Sequence, residues 1–322
     1  MKQTGGNWDP TQWPIYFRAS DNDALRYDII EPESHLLLAV TELPTRDNKD
    51  FEELLNSHVL LDSGVYVLAT QHAHKHGMSM DEALRLAPNE IEGFDKLFDL
   101  YVQTVSAYQD RLWGYIEIDF GGCQNKRKTR ARLEGLGLRP MPVYHPLNDG
   151  WDYFDELANE YDRICLGNIV LAPMETRKRI LATIWERRRQ YPHLWIHGLG
   201  MTPGDMNLAY MLNSFDSSTW LLAGVRYGRG IAHMIGRATN DLMDGFIYRR
   251  DKEPAEPAGY NKARQMASYN AILLDRSYRI IKSDLEQELG ADVGLFDHDH
   301  GSLFESRLPP LAKRPAAPQV PQ

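Results

Sequence analysis

Cysteine is scarce in this chain. Of 322 residues only Cys123 and Cys165 are cysteine, which excludes a disulfide-built scaffold and a zinc ribbon held by four thiolates. Long apolar runs are missing too. None reaches the roughly 18 residues that a membrane-spanning helix needs, and the opening MKQTGGNWDP lacks the charged-then-apolar layout of a secretory signal. The expectation is a soluble, cytoplasmic protein with no membrane partner. Nor is positive charge in excess, because 36 Lys+Arg stand against 45 Asp+Glu, a formal net charge of −9 at pH 7. That balance argues against a general nucleic-acid coat and leaves room only for a local basic face. What is present is ordinary globular composition, 43% hydrophobic and 25% charged, enough for one large domain or two small ones.

Short apolar runs, several closing on Gly, Asp or His, alternate with longer stretches of helical period, the pattern of parallel strands joined by crossover helices. The eight runs are Ile15–Ser20, His35–Val40, His58–Asp62, Gly114–Asp119, Pro142–His145, Ile164–Gly167, Trp195–Gly200 and Thr219–Gly224. They predict an α/β fold, a (β/α)8 TIM-type barrel over residues 1–250, since an open doubly wound sheet would normally have fewer strands. Phe154, Leu157, Ala158 and Tyr161 share one helical face, as do Ile180, Leu181, Ile184 and Trp185, and both helices should cover the outside of the sheet. Residues 251–259 (DKEPAEPAG) read as an exposed connector. Residues 260–301 read as a C-terminal helical extension, with Met266, Tyr269, Leu273 and Ile281 at helical spacing and Gly290 as a stop. Residues 302–322, rich in Pro, Ala and Lys/Arg, are expected to be a disordered tail.

In a parallel barrel the chemistry sits at the carboxyl ends of the strands, so the polar residue closing each run is a candidate. Asp62 closes the third run, and the following Ser63 and Gly64 can form a tight turn that offers backbone N–H groups to an anion or carbonyl. Asp119 closes the fourth, with Glu117 two positions earlier on the same side of the strand. His145, then Gly167 and Asn168, then His197, Gly198 and Gly200 close the next three, and Asp216 stands just before the last. Singly, a strand-end aspartate is most often a cap or turn residue. Three at three strand ends suit chemistry that needs a nucleophile, a proton carrier and a recognition carboxylate. His197 in isolation reads as a hydrogen-bonded core histidine. His72, His74 and His76, spaced for one face of a strand rather than a helix, read as a solvated helix end and not as a metal site. Asp297, His298, Asp299 and His300 read as surface charge, and Gly198-Leu199-Gly200 lacks the third glycine of a dinucleotide loop.

Basic residues gather in three places. Asn125–Arg132 carries Lys126, Arg127, Lys128, Arg130 and Arg132 just after Asp119; 177–189 carries six Lys/Arg; and Arg226, Arg229, Arg237, Arg249 and Arg250 follow the last run. The first and third adjoin the proposed catalytic ends, where phosphate contacts would hold a polynucleotide. The second lies among apolar positions at helical spacing and reads as a solvated helix face.

Taken together, the strand ends resemble the tRNA-guanine transglycosylase superfamily, and within it the DNA-acting relatives, common in phages, that insert 7-deazaguanines into DNA. Leu61-Asp62-Ser63-Gly64 is similar to the family's Asp-Ser-Gly-Gly-Phe motif, with Val65 and Tyr66 in place of the usual Gly-Phe or Ala-Phe. The stretch from His197 to Met206 (HGLGMTPGDM) is similar to Gly-Val-Gly-Thr-Pro-x-Asp-Leu, and Phe215-Asp216-Ser217 stands at the spacing of the Phe-Asp-Cys nucleophile segment. The likeness covers residues 58–222. It departs from the tRNA enzymes in lacking their Cys-x-Cys-x-x-Cys…His zinc site, since no cysteine follows Cys165, and in lacking an RNA-binding accessory domain.

The resemblance implies exchange of guanine in DNA for a preQ0-type 7-deazaguanine. Asp216 would attack the anomeric carbon, Asp62 would shuttle the proton, and Asp119 would accept hydrogen bonds from the purine's Watson–Crick edge. Ser63, Gly64, His145, Asn168 and His197 would bind substrate, with the backbone at Gly167, Gly198 and Gly200 close to the purine ring. Lys126, Arg127, Lys128, Arg130, Arg226 and Arg229 would hold the nucleic acid. No redox cofactor and no catalytic metal are expected. DNA, or alternatively tRNA, and the deazaguanine base are the expected partners, with DNA-modification proteins as further ones, in the host cytoplasm if the gene is a phage's. The rival readings are a tRNA base exchanger, a hydrolytic glycosylase, and a nucleic-acid-binding barrel without activity.

Overall fold

Runs such as HLLLA and HVLLD, apolar and bounded by polar or turn-forming residues, are what a strand buried on both faces requires, and they form strands here. The computed structural model describes residues 1–10, 12, 14–20, 34–43, 48–201 and 212–221. Among them are the strands β1 (Ile15–Ser20), β2 (His35–Ala39), β3 (His58–Asp62), β4 (Gly114–Tyr115), β5 (Val143–Tyr144), β6 (Arg163–Leu166), β7 (Trp195–Gly198) and β8 (Ser214–Ser217). They form one eight-stranded sheet of order β4-β3-β2-β1-β8-β7-β6-β5, parallel at every pairing. The sheet curls far enough for its two edges to meet: Ile116 and Met141 form a parallel bridge, flanked by Met141 N–H to Tyr115 O at 2.8 Å and Glu117 N–H to Met141 O at 3.0 Å. This architecture is compatible with a TIM-like fold.

Among the described residues the crossover helices are α1 (Asn48–Leu54), α2 (Val65–His76), α3 (Met80–Arg85), α4 (Phe94–Tyr108), α5 (Gly122–Gly135), α6 (Trp151–Glu160) and α7 (Met174–Arg188). In α4, Phe94, Leu97, Phe98, Tyr101 and Val105 recur three or four apart and are all buried, each contributing about 1.5–3 kcal/mol by leaving water. A capping box of Ser79 and Glu82 starts α3, which sets where the chain turns back toward the sheet. The apolar faces expected around Phe154 and Ile180 are the buried faces of α6 and α7.

The inner face of the curled sheet follows from alternation along each strand. Ile15 and Phe17, Leu37, Leu60, Cys165 and Trp195 form one apolar cluster, and the next inward positions toward the carboxyl ends are Asp62, Gly167, His197 and Asp216. The amino ends are closed by the first residues of the chain, where Trp8 packs edge-on against Trp195 at 5.2 Å and Trp113 at 6.2 Å.

Two expectations are corrected. The last strand is Ser214–Ser217, so Asp216 lies on it, and the apolar run from Thr219 begins a helical turn, Thr219–Leu221. The fourth strand ends at Tyr115, so Glu117 does not share a strand face with Asp119; it meets Arg130 of α5 at 2.7 Å and accepts from Val143 N at 2.6 Å. The connector at 251–259, the extension at 260–301, the tail at 302–322 and the Asp297–His300 group lie outside the described residues.

Candidate active site

Asp62 ends β3 half-buried, with Leu60 two positions below it in the apolar inner layer. Its Oδ1 accepts the Gly64 N–H at 2.7 Å. Gly64 has φ +78, and a Cβ there would come within 2.8 Å of Thr41, so the turn needs glycine for both reasons. That N–H is therefore not the ligand donor expected from the sequence; it holds Asp62. Ser63 is buried in the same turn.

Asp119 is bonded through Oδ2 to His145 Nε2 at 2.8 Å. His145 is fixed from two sides. Its backbone N–H donates to Asp149 Oδ2 at 2.8 Å, and Lys126, wholly buried, binds the same oxygen and the Val143 carbonyl. Its ring lies where a Gly167 side chain would be, since a Cβ there would stand 2.6 Å from His145 Cδ2. Gly167 thus makes room for His145 rather than for a ligand. Burial alone would raise the Asp119 carboxyl, but the His145 hydrogen bond and the charges of His145 and Lys126 hold it below the usual carboxylate range.

Asp216 is buried at the carboxyl end of β8. Its Oδ1 is bonded to His197 Nε2 at 3.2 Å and accepts the Gly200 N–H at 2.9 Å. His197 Nδ1 meets Ser214 Oγ at 2.8 Å, and that oxygen accepts the Trp195 indole N–H at 2.9 Å. Gly200 has φ +68, which lets the chain turn back over Asp216. Gly198 serves packing instead, because a Cβ there would strike Met201 Sδ at 2.7 Å and sits 3.1 Å from Leu212 and Phe215.

Asp62 senses the charges of the other two carboxyls. Asp62 is pushed up to about 7, first by loss of water, against the Gly64 hydrogen bond, and then by the negative charges of Asp119, Asp216 and Glu42. Near neutral pH the group can therefore donate a proton or accept one, while Asp119 beside it stays ionised. Asn168, the one described non-glycine residue with positive φ, at +51, follows Gly167, and its Oδ1 is buried with no hydrogen-bond partner among the described residues.

The expected nucleic-acid contacts of α5 are mostly internal. Lys126 pairs with Asp149 and Arg130 with Glu117, both buried. Arg127 binds Glu156 and lies over the Tyr153 ring. Of that group Lys128 and Arg132 are exposed, and Arg226 and Arg229 lie outside the described residues. The α7 group is not simply a solvated face either, since Arg188 is wholly buried and donates to Asn213 Oδ1 at 3.0 Å. His72 is buried and accepts the Glu92 N–H at 3.4 Å, whereas His74 and His76 are exposed. No three His, Cys, Asp or Glu side chains are arranged to hold a metal among the described residues. A cavity of about 460 Å³ lies apart from the aspartates, between α2 and α4, lined by Leu68, His72, Lys75, Lys96 and Leu100 among others.

Sequence reasoning did not anticipate Trp195, Ser214, Asp149 or Asn168's unmet acceptor. The first two carried a usable signal, because Trp195 and His197, and Ser214 and Asp216, are each two apart on adjoining strands. No family model and no curated protein matches the chain. No described helix is long and apolar enough to cross a membrane.

Proposed function

We propose that this protein is a transglycosylase on a (β/α)8 barrel closed between β4 and β5, exchanging guanine in DNA for a 7-deazaguanine through an aspartyl-glycosyl intermediate. The observation that carries the reading is the sharing of one mouth by three aspartates of unequal character: Asp62 near 7, Asp119 held low, and Asp216 accepting two hydrogen bonds on one oxygen. Environments that drive neighbouring carboxyls apart divide acid–base work among them.

The chemistry follows from those characters. Asp216 attacks C1′ while the C1′–N9 bond breaks, its electron pair passing to guanine, and the departing base takes the proton of Asp62. The incoming deazaguanine returns a proton to Asp62 as its own nitrogen displaces Asp216, so the sugar keeps its configuration. Asp119, ionised and with Oδ1 remaining beside the His145 bond, suits the N–H donors of a guanine edge, and Asn168 Oδ1 offers a second acceptor. A guanine in duplex must first leave the stack at a cost of roughly a few kcal/mol.

The test is a denaturing gel of protein incubated with a guanine-containing oligonucleotide and hydroxylamine-free buffer. Wild type should form a protein–DNA adduct and Asp216→Asn should not; an adduct from Asp216→Asn overturns the assignment. Labelled guanine supplied with DNA and with tRNA names the polymer, base loss without exchange makes the enzyme a hydrolase, and binding without turnover makes it a non-catalytic barrel.

A further inference from the structure

We propose that Trp195, Ser214 and His197 form a positioning relay that makes Asp216 react through one oxygen only: Oδ1 is clamped and Oδ2 forms the bond to sugar. The inference rests on the reading of Asp216 as nucleophile and specifies which atom acts and what holds it.

An indole N–H can only donate, so Ser214 Oγ is the acceptor in its 2.9 Å contact with Trp195. The serine hydroxyl has one hydrogen, and His197 Nδ1 is 2.8 Å away. If that hydrogen points to Nδ1, the imidazole is neutral with its proton on Nε2, which donates to Asp216 Oδ1 at 3.2 Å. The opposite tautomer would set a bare Nε2 lone pair against a carboxylate oxygen, a repulsive contact. His197 and Ser214 are register partners on β7 and β8, so the relay is built into strand pairing. The His197 ring is wholly buried and has Phe17 edge-on at 5.6 Å, so close packing restrains its orientation.

The consequence is an asymmetric carboxylate. Oδ1 accepts from both His197 and Gly200, whereas Oδ2 takes no hydrogen bond among the described residues. Lone pairs engaged by two donors are poorer nucleophiles, so Oδ2 forms the C1′ bond as the C1′–N9 pair leaves with guanine and the Asp62 proton. In the resulting ester Oδ1 becomes the carbonyl oxygen. The same two donors then stabilise the charge that returns to it when the incoming base displaces the aspartate. A donor on Nε2 serves in both half-reactions.

Two measurements test the relay. In the free protein, 15N NMR of the His197 ring should report the Nε2–H tautomer, and Ser214→Ala should increase the Nδ1–H form; an Nδ1–H tautomer in wild type overturns the proposal. In single-turnover adduct formation, His197→Phe should slow the step on the order of 100-fold, the effect of losing one preorganised donor, with substrate affinity within about twofold. His197→Gln, whose amide nitrogen reaches the Nε2 position, should recover most of that loss. Equal rates for wild type and His197→Phe, or no recovery by a folded His197→Gln, overturn it. Should wild type form no adduct at all, the transglycosylase reading falls, and the tautomer measurement alone decides the relay.

Discussion

The surroundings of Asp62 bring its titration near neutral pH, and the change has a sign that can be checked. Its folded-state pKa, about 7, lies above the ordinary 3.8, so the folded protein keeps a proton that the unfolded chain has already released. Asp62 therefore costs nothing below about pH 4. Its cost grows as pH rises from 4 to 7 and is constant above. At about 1.36 kcal/mol per unit the ceiling is about 4 kcal/mol, lowered by the water that reaches this half-buried side chain. Asp62→Asn can still accept from Gly64 N–H, so urea unfolding should show the variant gaining stability over wild type between pH 4.5 and pH 8. An equal difference at both pH values would mean that Asp62 is ionised throughout. The position of this aspartate was legible in HVLLDSG, because a strand end followed by a glycine turn is a local pattern. The roles of the glycines were not. Gly64 serves Asp62, Gly167 admits His145, and Gly198 meets Met201, Leu212 and Phe215, and each of these depends on what stands across the fold rather than on neighbours in sequence.

The helix α5 turns its charge inward, which the sequence does not announce. NKRKTRAR reads as a basic stripe placed to contact phosphates, yet Lys126 reaches Asp149, 23 residues away, and Arg130 reaches Glu117, 13 residues away. Removing one member of such a buried pair strands the other, at a cost of about 3–5 kcal/mol. Lys126→Met should therefore lower unfolding stability by that amount and loosen His145 through Asp149, while Lys128→Ala, on the exposed side, should change stability by less than about 0.5 kcal/mol. A Lys126→Met protein of wild-type stability whose DNA binding shows a salt slope smaller by about 1 would restore the phosphate-contact reading. A related reason explains the misplaced last strand. The inward positions of β8 are Ser214 and Asp216, polar because they line the site, so hydropathy favours the apolar run from Thr219 instead. The other seven strands were legible because their inward residues are mostly apolar core, and strand ends shifted only by one or a few residues.

The parallel sheet gives the molecule two unlike ends, one carrying the aspartates and the other sealed by residues 2–8. Arg163, the first residue of β6, is wholly buried at the sealed end. Its guanidinium donates to Thr4 Oγ1 at 2.5 Å, Gly5 O at 2.7 Å and Trp113 O at 3.1 Å, with the Trp8 ring 4.4 Å away. Burial pulls it down to about 10, so at neutral pH it remains a charge kept out of water, tolerable only while its acceptors are in place. Asp162, which raises it, is itself tied to Thr4 N and Oγ1 at 2.9 Å. Removing residues 2–8 would expose Trp113 and Trp195 and strip two of the three acceptors from Arg163, and a loss of about 3–5 kcal/mol is expected. Arg163→Met alone should cost less, because the acceptors are then left near an apolar chain without a stranded charge. If the stranded charge causes most of the damage, the two changes are strongly non-additive: Arg163→Met should be much milder in the truncated protein than in the full chain, or even restore stability. Because the strands are parallel and the aspartates sit at their other ends, the rate of adduct formation per folded molecule should stay within about twofold through the whole cycle. A purely additive cycle in urea unfolding would show that the arm acts only by covering apolar surface.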